Sequence, residues 1–282
     1  MGLIFLRLIQ AALFILPRPL CLLLGRGLGL AFYRMDRKRR HIALSNLRLA
    51  FSKELSEKER RRIARRSFSH FGRTIVDILK LSLKSGEKIS RLITVEGEDF
   101  LLNALQEKKG ILMFSAHYGN WEVAPLLISR HTALHVIARP LDSPRFEAEV
   151  ARIRSVFQSR VIHKQQASKD TLRALRNNEM VAILIDQNVL RKEAVFVDFF
   201  GLATFFLRTQ APILPVFCFP RGRRYVIQIG EPLSFLPSGD MKKDIQNITQ
   251  TCTQIIEEQI RHIPEYWLWF HDRWRSRPEP PV

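Results

Sequence analysis

Cysteine is scarce in this chain: Cys21, Cys218 and Cys252 are the only three in 282 residues, and none stands in a Cys-x-x-Cys or metal-ligand spacing. That scarcity argues against a disulfide framework and for a reducing compartment, and all three read as small buried hydrophobes. Acidic residues are short as well. With 27 Asp and Glu against 45 Lys and Arg, a net +18, the surface must attract something anionic. Nucleic acid, anionic lipid headgroups and an acidic carrier protein all qualify by charge. No recognition module, zinc spacing or aromatic-basic interleaving supports nucleic acid, and no nucleic-acid partner is expected. A clean apolar run of the roughly 20 residues that a spanning helix needs is also missing. Internal repeats, low-complexity tracts and long linkers are absent, and at 46% hydrophobic the chain can bury the core of one large domain, with or without an extension.

What apolar sequence there is crowds the N-terminus. The run LIFLRLIQAALFIL, 3–16, carries Arg7 and Gln10 and is halted by Pro17-Arg18-Pro19; a second run, 20–32, is broken by Arg26 and diluted by Gly25, Gly27 and Gly29. Each half is short for a span, and no small-residue cleavage site marks a signal peptide. Residues 1–33 therefore read as a membrane anchor, tilted or lying as a hairpin in the interface, with Arg7 and Arg26 reaching toward headgroups. A pair of ordinary core helices is the alternative. Between Arg34 and Arg73 stand 14 Lys and Arg against 4 Asp and Glu, over half the net charge of the chain. A basic cluster directly after an apolar anchor suits an anionic membrane surface and places the body on the cytoplasmic side. Part of it is helical, opened by a capping box at Ser56-Glu57-Lys58-Glu59, with Ile63, Phe68, Phe71, Ile75, Ile78 and Leu79 at helical spacing. We take 34–90 as a basic helical segment and 91–282 as the main domain.

Beyond residue 90, short β-rich runs alternate with helical patterns. Strands are expected at 92–95, 111–115, 134–138, 181–186, 195–199, 213–219 and 225–229, and helices at 98–106, 122–128, 144–157, 169–176 and 244–262. The expected fold class is α/β, with a mostly parallel central sheet flanked by helices and the N-terminal apolar anchor in front of it. In such sheets ligands bind beyond the carboxyl ends of strands. His117, in SAHYGNWE, lies two residues past the strand at 111–115; Arg139 lies one past the strand at 134–138; Asp186 closes VAILID. These three converge on one sheet edge.

Residues five apart on a helix lie about 140° from each other, so His117 must precede a helix that carries Glu122 in its first turn. Gly119 eases the turn between them. There Glu122 can accept a hydrogen bond from one imidazole nitrogen while the other takes a proton from a substrate hydroxyl. Such a dyad without a nucleophilic serine suits attack by the substrate's own alcohol on an activated acyl group. The His-Glu-x-x-His spacing of zincins is absent, and neither metal nor cofactor is expected. A capped, structurally satisfied histidine fits the same residues, as a turn residue or N-cap fits Asp186 and a surface charge fits Arg139.

In their order along the chain, RRHIALSNLRLAF (39–51), SAHYGNWE (115–122), ARPLDSP (138–144), LIDQN (184–188), VFVDFFG (195–201), LRTQAPILPVF (207–217) and PEYWLWFHDRWRSRPE (264–279) resemble the lipid A biosynthesis acyltransferase family, within the wider glycerolipid acyltransferase superfamily. The resemblance implies transfer of a fatty acyl chain from acyl carrier protein to a hydroxyl of a lipid A precursor at the cytoplasmic face of the inner membrane. His117 and Glu122 match the family's His-x4-(Asp/Glu) motif. Arg139 matches an arginine placed for the oxyanion or a substrate phosphate, and Asp186 an acidic residue on the acceptor side; Asn120 joins these as a further polar candidate. Sister activities remain open: another glycolipid or lysolipid, such as a phosphatidylinositol mannoside, with acyl-CoA as donor, or an inactive basic membrane-binding relative. One departure stands out. Between VFVDFFG and LRTQAP only LATFF remains, on the order of 10 residues short, about three helical turns, which puts in doubt the helix expected to cross over into 213–219: either that side of the acceptor pocket is reorganised or the chain is a damaged or inactive relative.

Overall fold

The computed structural model describes residues 2–138, 143–163, 167–187 and 199–274. Four helices come first: α1 (Gly2–Ile15), α2 (Arg18–Met35), α3 (Arg37–Phe51) and α4 (Glu57–Leu81). The capping box forms as its sequence demands, with Ser56 Oγ accepting from the Glu59 N–H and the Glu59 carboxylate accepting from the Ser56 N–H. Helix α2 lies against α4 through glycines. A Cβ at Gly29 would stand 2.1 Å from Phe68 O, and one at Gly72 would stand 2.2 Å from Gly25 O, so the two backbones touch where no side chain fits. No described helix is long and apolar enough to cross a membrane. The 14 residues of α1 reach only about 21 Å, and α2 spends its glycine face on α4.

The rest runs α5 (Gly86–Ser90), β1 (Ile93–Glu96), α6 (Glu98–Gln106), β2 (Ile111–Ser115), α7 (Pro125–Ile128), β3 (Leu134–Ala138), α8 (Pro144–Val156), β4 (Arg160–His163), α9 (Ala167–Arg176), β5 (Met180–Leu184), α10 (Phe199–Thr209), β6 (Ile213–Arg221), β7 (Arg224–Ile229) and α11 (Met241–His262), closed by a 3-10 turn at Pro264–Tyr266. The sheet has the order β1-β7-β6-β2-β5-β3-β4, and every pairing is parallel except the β6–β7 hairpin. This is the α/β, mostly parallel architecture expected. Strand β2 alternates between two cores. Leu112 and Phe114 join the one built with α3, α4, α10 and α11, whereas Ile111 and Met113 join the one built with α6, α7 and α8. Ala43, Leu47, Ile63 and Phe68 belong to the first of these cores, so the basic helical segment packs directly on the sheet.

Three expectations change. The short strand β4 was not anticipated, because RVIH carries a polar side chain at each end, Arg160 and His163, and has only two apolar residues between them. The helix expected over 122–128 begins only at Pro125, after a turn from Trp121 to Ala124, since Pro125 sits most easily in a first helical turn. The helix doubted before 213–219 is present as α10, a three-turn helix that starts in the phenylalanines themselves. The expected strand at 195–199 lies outside the described residues except for Phe199, which opens α10.

Candidate active site

Strand register builds the site. Ser115 of β2 pairs with Leu184 of β5, so two residues further on His117 and Asp186 stand abreast, one strand spacing apart. The His117 N–H donates to Asp186 Oδ2 at 2.8 Å, and His117 Nδ1 lies 2.8 Å from Asp186 Oδ1. Trp267 Nε1 donates to Oδ2 at 2.7 Å. Asp186 is 2% exposed. Burial would raise its carboxyl pKa, but the electrostatic pull of His117 and the hydrogen bonds from His117 and Trp267 hold it below the usual carboxylate range. An ionised acceptor at Nδ1 places the proton there and leaves Nε2 with its lone pair. Facing Nε2 at 3.2 Å is the side-chain amide nitrogen of Gln187. Trp121 meets the imidazole edge-on, with ring centroids 4.9 Å apart.

The turn that carries His117 is held from behind. Gly119 has φ +65°, and a Cβ there would come within 2.1 Å of Cys218 O, so both conformation and space require glycine. Its N–H donates to Tyr266 O at 3.0 Å, and its carbonyl accepts from Thr74 Oγ1 at 3.2 Å and from His70 Nε2 at 3.1 Å. A carbonyl can only accept, so His70 carries its proton on Nε2; burial pushes its pKa down to about 4 and keeps the ring neutral.

Glu122 is placed elsewhere than expected. Both His117 ring nitrogens are engaged without it, and Glu122 forms a two-pronged ion pair with Arg154 of α8, at 2.8 Å to Nη2 and 3.1 Å to Nε. The missing helical turn at 121–124 is the reason: it leads Glu122 toward α8, while register brings Asp186 to His117 at no conformational cost. Asn120 is fully buried and donates its side-chain amide to Tyr225 Oη at 3.0 Å. Arg139 lies outside the described residues. Sequence reasoning passed over Trp267, Gln187 and His70. Only its hydrogen bond to Asp186 separates the indole of Trp267 from an ordinary core aromatic.

Trp267 also walls an apolar groove between α3 and α11, shared with Phe51, Ile256, Ile260, Trp269 and Trp274. Arg273 lies at this groove as well. Burial holds its pKa below the ordinary arginine value while the Asp186 charge works the other way, so a cation stands within electrostatic reach of the site. Among the described residues no three His, Cys, Asp or Glu side chains are grouped to hold a metal ion.

A partly exposed histidine on a buried carboxylate, at the carboxyl end of a mostly parallel sheet and beside an apolar groove, has the groups to deprotonate an alcohol next to a long hydrocarbon. Comparison with known proteins identifies the family. The "Lipid A biosynthesis acyltransferase" of Haemophilus influenzae is 26% identical over 280 residues, covering 94% of this chain and 87% of that protein. The "Lipid A biosynthesis lauroyltransferase" of Escherichia coli K12 is 25% identical, covering 94% and 88%. A "Phosphatidylinositol mannoside acyltransferase" of Mycobacterium tuberculosis is 25% identical, covering 74% and 69%. Residues 1–276 match the family described as bacterial lipid A biosynthesis acyltransferase, and the chain, an acyltransferase, belongs to that family.

Proposed function

We propose that this acyltransferase moves a fatty acyl chain from the thioester of an acyl carrier protein to a hydroxyl of a lipid A precursor, at the cytoplasmic face of the inner membrane. The observation that carries the reading is the His117–Asp186 contact, with Nε2 left as the accepting nitrogen. The substrate hydroxyl takes the position facing Nε2 and loses its proton to it as oxygen attacks the thioester carbonyl; the proton then passes to the departing thiolate. Asp186 orients the ring and balances the imidazolium. The geometry supports Asp186 in that role and Glu122 as the residue that fixes Arg154 beside the turn. Arg139 and Arg273 are the cations proposed for the oxyanion or a substrate phosphate. No covalent acyl-enzyme is required.

The acyl chain is assigned to the groove ending at Trp267. The acidic carrier suits a chain of net +18. Membrane contact is assigned to the N-terminal helices, lying in the interface. Leu20, Leu23, Leu24 and Leu28 of α2 and Phe14 and Ile15 before it are exposed, and along the flank of α2 runs a groove lined by Arg26, Lys58, Arg61, Arg62, Arg65 and Arg66.

Lipid mass spectrometry of a deletion strain, complemented with wild type or His117→Ala, tests the reading. Loss of one acyl unit from lipid A, restored by wild type alone, is the expected result, and Ile256→Trp should restore a shorter chain. The mycobacterial relative motivates a second reading, acylation of another glycolipid. An unchanged lipid A beside a second lipid that loses an acyl chain would establish it instead; a covalent acyl adduct on the protein would overturn the direct-attack mechanism.

A further inference from the structure

Behind the His117 turn runs a second chain of buried polar groups. Asn120 Nδ2 donates to Tyr225 Oη at 3.0 Å, and the Tyr225 hydroxyl donates to Asp77 Oδ2 at 2.5 Å. Arg18 completes the carboxylate, Nε to Oδ1 at 2.8 Å and Nη2 to Oδ2 at 2.6 Å. Asn120 and Asp77 have no exposed surface, and Tyr225 is 4% exposed. The Tyr225 proton has one place, while Asn120 Oδ1 is buried without a partner among the described residues. Burial raises the Tyr225 pKa, so its hydroxyl stays a donor; burial opposes the Arg18 charge, but Asp77 more than offsets it.

The four residues come from four elements: the first residue of α2, the C-terminal turns of α4, β7, and the turn after β2. Arg18 additionally donates to Arg223 O at the β6–β7 turn, and Lys80 of α4 donates to the carbonyls of Leu13 and Phe14 at the end of α1. Buried ion pairs contribute little net stability against apolar side chains of similar volume. Buried polar networks do specify one arrangement of the parts they join, and here the contacts from Asn120 Nδ2 to Arg18 are made while Asn120 Oδ1 alone of the network is left without a partner among the described residues. The part joined at the inner end of this one is Asn120, three residues from His117.

We propose that Asp77 and Tyr225 are positioning residues that set the His117 turn through Asn120, and that Arg18 makes this hold depend on the seating of the N-terminal helix pair. The inference rests on His117 acting as the base. It gives the first two helices a part in catalysis separate from holding the protein at a surface.

The test uses the full chain in detergent with Tyr225→Phe, Arg18→Gln, Arg18→Lys and, as reference, His117→Ala. Tyr225→Phe and Arg18→Gln should each lower kcat about tenfold, as expected for a displaced catalytic group, with KM for the acyl donor unchanged. Arg18→Lys should recover part of the loss, and the double variant should fall no further than the worse single. Amide exchange of the segment 116–120 should quicken in both single variants while the centre of α4 keeps its protection. Variants that melt earlier yet keep kcat and the exchange of 116–120 would make the network purely structural and overturn the inference. Should Tyr225→Phe fail to fold, Arg18→Gln decides from the partly exposed end of the chain. Activity retained in His117→Ala would remove the base reading, and exchange at 116–120 would then decide the positioning claim by itself.

Discussion

Asp186 takes three hydrogen bonds into one buried carboxylate, two from His117 and one from Trp267, and an amide in its place can accept at only one oxygen. Asp186→Asn should therefore lower kcat on the order of a hundredfold or more, the usual worth of a positioned base. Glu122→Gln should cost less catalytically and show first as a lower melting temperature, because it leaves the Arg154 guanidinium half-buried without its anion. The reverse order in steady-state kinetics would return the orienting role to Glu122. His70 supplies a pH-dependent term. Its folded pKa, about 4, lies below its ordinary value of 6.5, so between these values the unfolded chain binds more protons and stability falls as pH falls. The loss amounts to about 3 kcal/mol at most. Denaturant melts should show this decline, and His70→Gln, which keeps a donor for Gly119 O, should flatten it. From sequence the histidine beyond a strand end was legible, since an apolar run followed by His and Gly is a local pattern. Asp186 was legible as a residue at the same sheet edge, but its direct pairing with His117 was not, because the two are 69 positions apart.

At the scale of elements, α2 and α4 show how glycine is used twice in one helix with opposite consequence. Gly29→Ala would drive a methyl group into Phe68 O and should destabilise by about 1 to 3 kcal/mol, the usual cost of overpacking. Gly27→Ala meets nothing within 4 Å and should stabilise by up to about 1 kcal/mol through helix propensity. Thermal melts of the two variants should move in opposite directions; parallel shifts would mean that α2 does not rest on α4. Local patterns gave most elements, including β2 and β3 with the bounds expected. They missed β4, with Arg160 and His163 at its ends, and α10, whose phenylalanines serve helix and strand equally well.

Across the whole molecule, apolar and basic surface meet on one side. The exposed leucines of α2 border the arginine-lined groove on α4, the pairing expected of a protein lying on an anionic bilayer. In vesicle flotation, Arg61→Ser/Arg65→Ser should weaken binding to phosphatidylglycerol vesicles by about 2 kcal/mol, roughly thirtyfold, with little change on phosphatidylcholine. Leu23→Ser/Leu24→Ser should weaken both. Equal binding of wild type to the two vesicle types would rule out the groove as an anionic-lipid contact. Sequence alone determined the α/β class, the excess of positive charge, the His117 turn and the family, because each is written in composition or in residues close together along the chain. Only tertiary structure decided that Asp186 faces His117, that Glu122 faces Arg154, and that Arg18 and Asp77 reach Asn120. Those pairings depend on which strands lie side by side and how helices settle on them, and that choice is made by packing across the whole core rather than by neighbours in sequence.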